Sequence, residues 1–214
     1  MRREFSANVS HELKTPLQGI IGSAELLENG MVKPEDAPRF VGHIRREAAR
    51  LVNLIEDIIR LSQLDEGVAI PAETVDLLEI AEEVRAILEA SAAEKEVRIS
   101  VSGAGFHVTG VRSMLQEILY NLCDNAIKYN IIGGCVNIHV EDRNLSVSDT
   151  GIGIPAEHQD RIFERFYRVD KSHSKATGGT GLGLSIVKHA VAYHNAKIAL
   201  DSTPGKGTTI TIQF

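Results

Sequence analysis

Two cysteines, Cys123 and Cys135, are all that this chain of 214 residues contains, with no CxxC pair and no His/Cys cluster at zinc spacing. A disulfide framework and a zinc module are therefore excluded, and a reducing compartment with both thiols free is the simpler inference. Surplus positive charge is missing too: 23 Lys and Arg stand against 29 Asp and Glu, for a net charge of -6. Nucleic acid and anionic membrane surfaces attract basic patches, so neither is expected as the main partner. No apolar run approaches the ~20 residues that span a bilayer, and Met1-Arg2-Arg3-Glu4-Phe5 has no leader-type apolar segment behind its charges. The chain is expected to be soluble as it stands, with room for it to be a piece of a larger protein. Internal repeats and low-complexity tracts are also lacking. What is there, 43% hydrophobic and 24% charged residues, describes an ordinary globular chain of one or two domains, long enough to bury a core.

Apolar residues recur at helical steps through Phe5, Val9, Leu13, Leu17, Ile20 or Ile21, Ala24 and Leu27, then through Ile44, Ala48, Leu51, Ile55 and Ile58. That pattern predicts two helices between residue 4 and about 66. Asn29-Gly30 is a stop signal, and Lys33-Pro34-Glu35-Asp36 puts proline and acids where a first helical turn favours them. Two helices cannot enclose a core, and the spacing of Ile44, Leu51 and Ile58 is that of a bundle seam. A second copy completing a dimeric four-helix bundle is expected, with packing of the hairpin on the rest of the same chain as the alternative. From Leu77 the pattern changes to a helix over 76–94 and period-two strands at Val97-Ile99-Val101, Val136-Ile138-Val140, Leu145-Val147, Ile198-Leu200 and Ile210-Ile212-Phe214. Helices over 111–130 and 181–194 intervene without regular alternation, which predicts an α/β sandwich with helices on one face of a sheet. Glu66 to Pro71 read as a linker, so the expected organisation is a hairpin over 1–66, a linker over 67–75 and an α/β domain over 76–214. The stretch 171–180, almost without apolar anchors, is expected to be mobile.

Four segments of the second half carry chemistry. Asn121 and Asn125 share a face of a predicted helix, with Lys128 beside it and Tyr129 following. An amide oxygen suits Mg²⁺ when phosphate oxygens and water fill most of its shell, and Lys128 can meet phosphate as a point charge. A solvated helix face is the bland alternative. Asp149-Thr150-Gly151-Ile152-Gly153 follows a strand directly. An ionised carboxylate there can accept from the amino group of adenine while glycines admit the ring, although the same pattern also punctuates ordinary turns. Phe163-Glu164-Arg165-Phe166-Tyr167-Arg168 sets aromatics beside cations, as core contacts that would hold a lid. Gly179-Thr180-Gly181-Leu182-Gly183 opens an amphipathic helix whose first N–H groups suit phosphate. Neither GxGxxG spacing nor the Lys-Ser/Thr ending of a P-loop is present.

In the first half, His11 lies within Ser10-His11-Glu12-Leu13-Lys14-Thr15-Pro16. Neutral imidazole has one acceptor nitrogen; a carboxylate at Glu12 can hold Nδ1–H, leave Nε2 as the nucleophile and stabilise charge developing on the ring. Thr15 falls one turn along the same face. Pro16 lacks an N–H, so a bend is expected beside His11. HExxT is not the HExxH zinc motif, because the second histidine is missing.

In their order and spacing these motifs resemble those of the sensor histidine kinases of two-component systems, over essentially the whole chain. The match runs from an H box at His11 to Pro16, through an N box at Asn121 to Tyr129, a G1 box at Asp149 to Gly153 and an F box at Phe163 to Phe166, to a G2 box at Gly179 to Gly183. The resemblance implies a dimerisation and phosphotransfer hairpin followed by an ATP-binding domain of the gyrase and Hsp90 (GHKL) type. It implies His11 as phosphoacceptor, with Glu12 and Thr15 as its catalytic neighbours and Thr15 serving dephosphorylation of a response regulator. Asn125 would hold Mg²⁺, Asn121 and Lys128 would face phosphate, Asp149 would read adenine, and Tyr129, Gly151, Gly153 and Gly179 to Gly183 would line the nucleotide. The implied partners are a second copy of the chain and the receiver domain of a response regulator, in the cytoplasm, with any membrane contact made by segments outside this chain. A nucleotide-responsive scaffold without kinase activity and a GHKL-type ATPase are the competing expectations. Thr109-Gly110-Val111, where the family usually has Gly-Asp, and His194-Asn195, in place of His-Gly, depart from the pattern and put local turn geometry in question.

Overall fold

The structure, a computed structural model, describes residues 2–65, 70–169 and 179–214. The first part of the expected linker and most of the stretch expected to be mobile lie outside the described residues.

Helix α1 (Arg2–Glu28) and helix α2 (Ala37–Asp65) pack against each other as the expected hairpin. The stop at Asn29-Gly30 works through a Schellman closure: Gly30 N–H donates to the Leu27 carbonyl and Met31 N–H to the Leu26 carbonyl. α1 runs uninterrupted through Pro16, so the expected bend does not break the helix, and the Glu12 carbonyl is left without its helical donor.

The second unit is a five-stranded sheet in the order β2 (Arg98–Ser102), β4 (Cys135–Glu141), β5 (Asn144–Asp149), β7 (Gly207–Gln213), β6 (Lys197–Thr203). Only β2 and β4 run parallel; the other neighbours are antiparallel. Helices α3 (Leu77–Glu94), α4 (Arg112–Lys128) and α6 (Gly183–Tyr193) pack on the sheet, and a short α5 (Ala156–Gln159) precedes the F-box segment. The core closes where Leu115, Ile118, Leu119 and Leu122 of α4 meet the alternating inward residues Val136, Ile138, Val140, Leu145 and Val147. Cys123 lies in that core fully buried, and its burial pushes the thiol well above the usual range. Both cysteines are free thiols.

Strands β1 (Glu73–Asp76) and β3 (His107–Gly110) pair antiparallel as a separate ribbon that the sequence pattern did not signal. Residues 73–75, read from the sequence as linker, therefore belong to the α/β unit: Val75 is buried, and Asp76 caps α3 by accepting from Leu78 N–H at 2.8 Å. The two departures from the family pattern meet in space. Val111, which begins α4 without a side-chain cap, donates its N–H to His194 Nε2 at 3.0 Å, and Asn195 takes the left-handed conformation (φ 55°) that asparagine tolerates in place of glycine.

The hairpin docks on the α/β unit. Leu54 and Leu61 of α2 bury against Leu182 and Ile186, and Phe5 of α1 stacks on Phe166 with ring centroids 5.8 Å apart. Polar pairs cross the same boundary, among them Arg168 to Glu12 (3.0 Å), Thr180 to Asp57 (2.7 Å) and Arg60 to Glu117 (2.7 Å).

Candidate functional site

Every nucleotide candidate except Gly151 and Leu182 lines one cleft of about 1240 Å³, which opens between α4, the end of β5 and the start of α6 and reaches across to α2. The volume exceeds that of a usual small-molecule pocket, because the cleft continues to the hairpin boundary. Asp149 sits at its floor, where Oδ1 accepts from the N–H groups of Gly151 (2.8 Å) and Thr208 (3.2 Å). Burial raises this carboxyl above its ordinary value, and the two backbone donors pull it part of the way back. With Oδ1 held, Oδ2 is the oxygen available to an amino group. Gly151 and Gly153 shape the same floor: a Cβ on Gly151 would strike the Tyr129 carbonyl, and Gly153 (φ 67°) lies against the Thr203 carbonyl. Thr150 ties the two walls together, accepting from Cys135 N–H and donating to Asn130 Oδ1.

On α4, Asn121 Nδ2 donates to the Glu117 carbonyl, which aims Oδ1 at Gly183; a Cβ there would stand 2.6 Å from that oxygen. Only glycine lets the glycine loop come this close to the asparagine. Asn125, one turn on, lines the cleft. Lys128 is paired with Asp124 at 2.6 Å, so contact with phosphate requires exchanging one anion for another. Leu182, expected to line the nucleotide, does not line the cleft, because its side chain is fully buried with Leu54, Leu61 and Ile186. Thr180 gives its hydroxyl to Asp57 while accepting from Leu182 N–H at 3.2 Å.

His11, Glu12 and Thr15 do not line the cleft. The His11 side chain is 80% exposed, with Nδ1 3.9 Å from Glu12 Oε1, beyond hydrogen-bonding range. The expectation that Glu12 holds Nδ1–H is therefore not met in this arrangement, because Glu12 Oε2 is drawn to Arg168, with Arg50 at 3.9 Å. Thr15 donates its hydroxyl to the His11 carbonyl at 3.1 Å. Arg168 is the residue that sequence reasoning passed over. Its side chain is 9% exposed and its Nε–H has no partner among the described residues, although it faces Gly181 on the cleft wall. A buried donor left open is costly unless a ligand completes it.

A five-stranded sheet under three helices, with an asparagine helix and a glycine loop around one cleft, joined to a histidine-bearing hairpin, is the architecture of a nucleotide-binding phosphotransfer core. Residues 110–214 match the family described as histidine kinase-, DNA gyrase B-, and HSP90-like ATPase, and residues 1–67 match the His Kinase A (phospho-acceptor) domain. The sensor-like histidine kinase SenX3 of Mycolicibacterium smegmatis is 41% identical over 219 residues, covering 100% of this chain and 57% of that protein. Among solved structures, the mycobacterial sensor histidine kinase MprB is 30% identical with a TM-score of 0.56, over 66% of this chain and 95% of that one. Histidine kinase AdeS of Acinetobacter baumannii is 25% identical with a TM-score of 0.76, over 95% of this chain and 97% of that one. The chain belongs to the sensor histidine kinases and carries their catalytic core. It spans about half the length of the curated relatives it matches, SenX3 among them.

Proposed function

We propose that this chain is an ATP-dependent protein-histidine kinase core that phosphorylates His11 and passes the phosphoryl group to an aspartate of a response regulator. The observation that carries this reading is the pairing of an exposed histidine on α1 with a separate cleft whose asparagines, aspartate and glycine loop suit a nucleotide. Asp149 Oδ2 accepts from the adenine amino group, and Tyr129 lines the base. Asn121, Lys128, the backbone of Gly179 to Gly183 and the open Nε–H of Arg168 face the phosphates. No group of three or more His, Cys, Asp or Glu among the described residues could hold a metal ion. The site therefore suits Mg²⁺ that arrives with the nucleotide, with Asn125 as its protein ligand. Bound Mg²⁺ neutralises phosphate charge.

In the transfer, the lone pair of His11 Nε2 attacks the γ-phosphorus, an N–P bond forms, and the bond to the ADP oxygen breaks. The ring becomes an imidazolium whose Nδ1–H is stabilised by a carboxylate, which requires Glu12 to leave Arg168 and turn to His11. Arg168, freed, is then available to phosphate. Thr15 serves the reverse task of orienting water for dephosphorylation of the regulator. A homodimer through the hairpin and cytoplasmic operation complete the proposal. Incubation with labelled ATP and Mg²⁺ gives an acid-labile, base-stable phosphoprotein, and His11→Gln abolishes it; undiminished labelling of that variant would overturn the assignment.

A further inference from the structure

We propose that Asp57 is a positioning residue of the nucleotide site: it holds the Thr180 hydroxyl, ties the glycine loop to α2, and competes with the nucleotide's phosphates for that hydroxyl. The inference rests on the kinase reading above and concerns how the same cleft is loaded. Thr180 Oγ1 donates to Asp57 Oδ2 at 2.7 Å and accepts from Leu182 N–H, so one hydroxyl joins a hairpin carboxylate to the residue that opens α6. Among the polar pairs that cross the boundary, this one reaches the glycine loop itself.

The charge at Asp57 is only partly compensated, by Arg60 and Lys128 acting at a distance. Arg60, one turn along α2, is committed to Glu117 at 2.7 Å, and Lys128 on α4 is committed to Asp124 at 2.6 Å. Burial, joined by the like charge of Glu56, outweighs the Thr180 hydrogen bond and both cations and raises the Asp57 carboxyl above its ordinary value. Asp57 nevertheless lines the same cleft as Asn125, Lys128 and Gly181. A triphosphate brought to that loop places several negative charges beside an anion whose two compensating cations are each paired with another carboxylate. Its oxygens are the alternative acceptors for the Thr180 hydroxyl, and one hydroxyl proton serves one acceptor well. Phosphate and Asp57 therefore exclude each other at Thr180. Loading the triphosphate releases the loop from α2 and loosens the α/β unit from the hairpin, the movement that bringing the cleft to His11 requires.

The test is calorimetric titration of the whole chain with adenosine, ADP and a non-hydrolysable ATP analogue, comparing wild type with Asp57→Asn, Asp57→Ser and the remote charge control Glu28→Gln. Both Asp57 variants bind the triphosphate roughly fivefold or more tighter, as expected for removing one incompletely compensated charge from the cleft. The gain is smaller for ADP and absent for adenosine, and Glu28→Gln leaves all three affinities unchanged. Equal changes for all three ligands would mean a merely structural role, and no gain for the triphosphate would sink the competition; either result overturns the proposal. Wild-type binding and His11 labelling report on the kinase reading separately, since the variant-to-wild-type ratio alone reports on Asp57.

Discussion

At Asp149, burial and backbone hydrogen bonds pull the carboxyl in opposite directions, and burial wins. A raised carboxyl takes its proton at higher pH than an exposed aspartate does. Because Oδ1 is occupied by two N–H donors, the proton settles on Oδ2, where it faces the donor amino group of adenine. Adenosine affinity should therefore fall on acidification from above the ordinary carboxylate range, and Asp149→Asn should remove this acid limb while lowering affinity by about tenfold. Titrations at stepped pH check both; a flat wild-type profile would contradict the assignment. The stability sign is the reverse. With the folded-state value raised, the contribution of Asp149 to folding is fully present below the unfolded-state value and is lost as pH rises through the raised one. At this scale the residues of the proposed site that could be read from sequence, Asn121, Asn125, Asp149 and the glycines, each lie in a short motif. Asp57 and Arg168 were illegible because their partners stand 123 and 156 residues away.

The docked boundary of α1, α2 and α6 is built of few apolar side chains, and α4 is built into the main core. Leu61 and Leu119 are both fully buried, the first against Leu182 and Ile186, the second among the sheet residues. Truncating Leu119 to alanine should lower the stability of the α/β unit by roughly 2–5 kcal/mol in urea unfolding. Truncating Leu61 should leave that transition nearly unmoved and instead raise hydrogen exchange in α2 and α6. Loss of protection across the whole sheet in Leu61→Ala would show that the two units do not separate. Long helices and the five strands of the main sheet were legible because their apolar periods run for several turns or pleats. β1, β3 and α5 were not: each has four residues, and β1 and β3 exist by virtue of pairing with each other across the intervening α3 and β2. That pairing, invisible in local pattern, is why residues 73–75 read as linker.

For the molecule as a whole, the hairpin keeps an uncovered apolar surface. Leu17 and Ile21 on α1 and Val52, Ile55 and Ile59 on α2 are 43–54% exposed, while other apolar residues of the same helices meet the α/β unit. Docking within the chain, the alternative expectation, is what residues such as Leu54 and Leu61 make, and the uncovered side is where the proposed second copy would pack. Charging this surface by Ile21→Glu with Ile55→Glu should convert a dimer to a monomer in sedimentation velocity while leaving adenosine binding intact. A wild type that sediments as a monomer at high concentration would refute the bundle.

Cys123 gives this molecule an internal clock. Its sulfur has no exposed surface in the core, and the same burial keeps it a thiol, not the thiolate that alkylating reagents capture. Covering and chemical silence end together, when α4 lifts from the sheet. The rate at which an alkylating reagent consumes Cys123 under native conditions therefore counts the openings of the ATP-binding half one at a time, and any nucleotide that closes the cleft over α4 should slow the count.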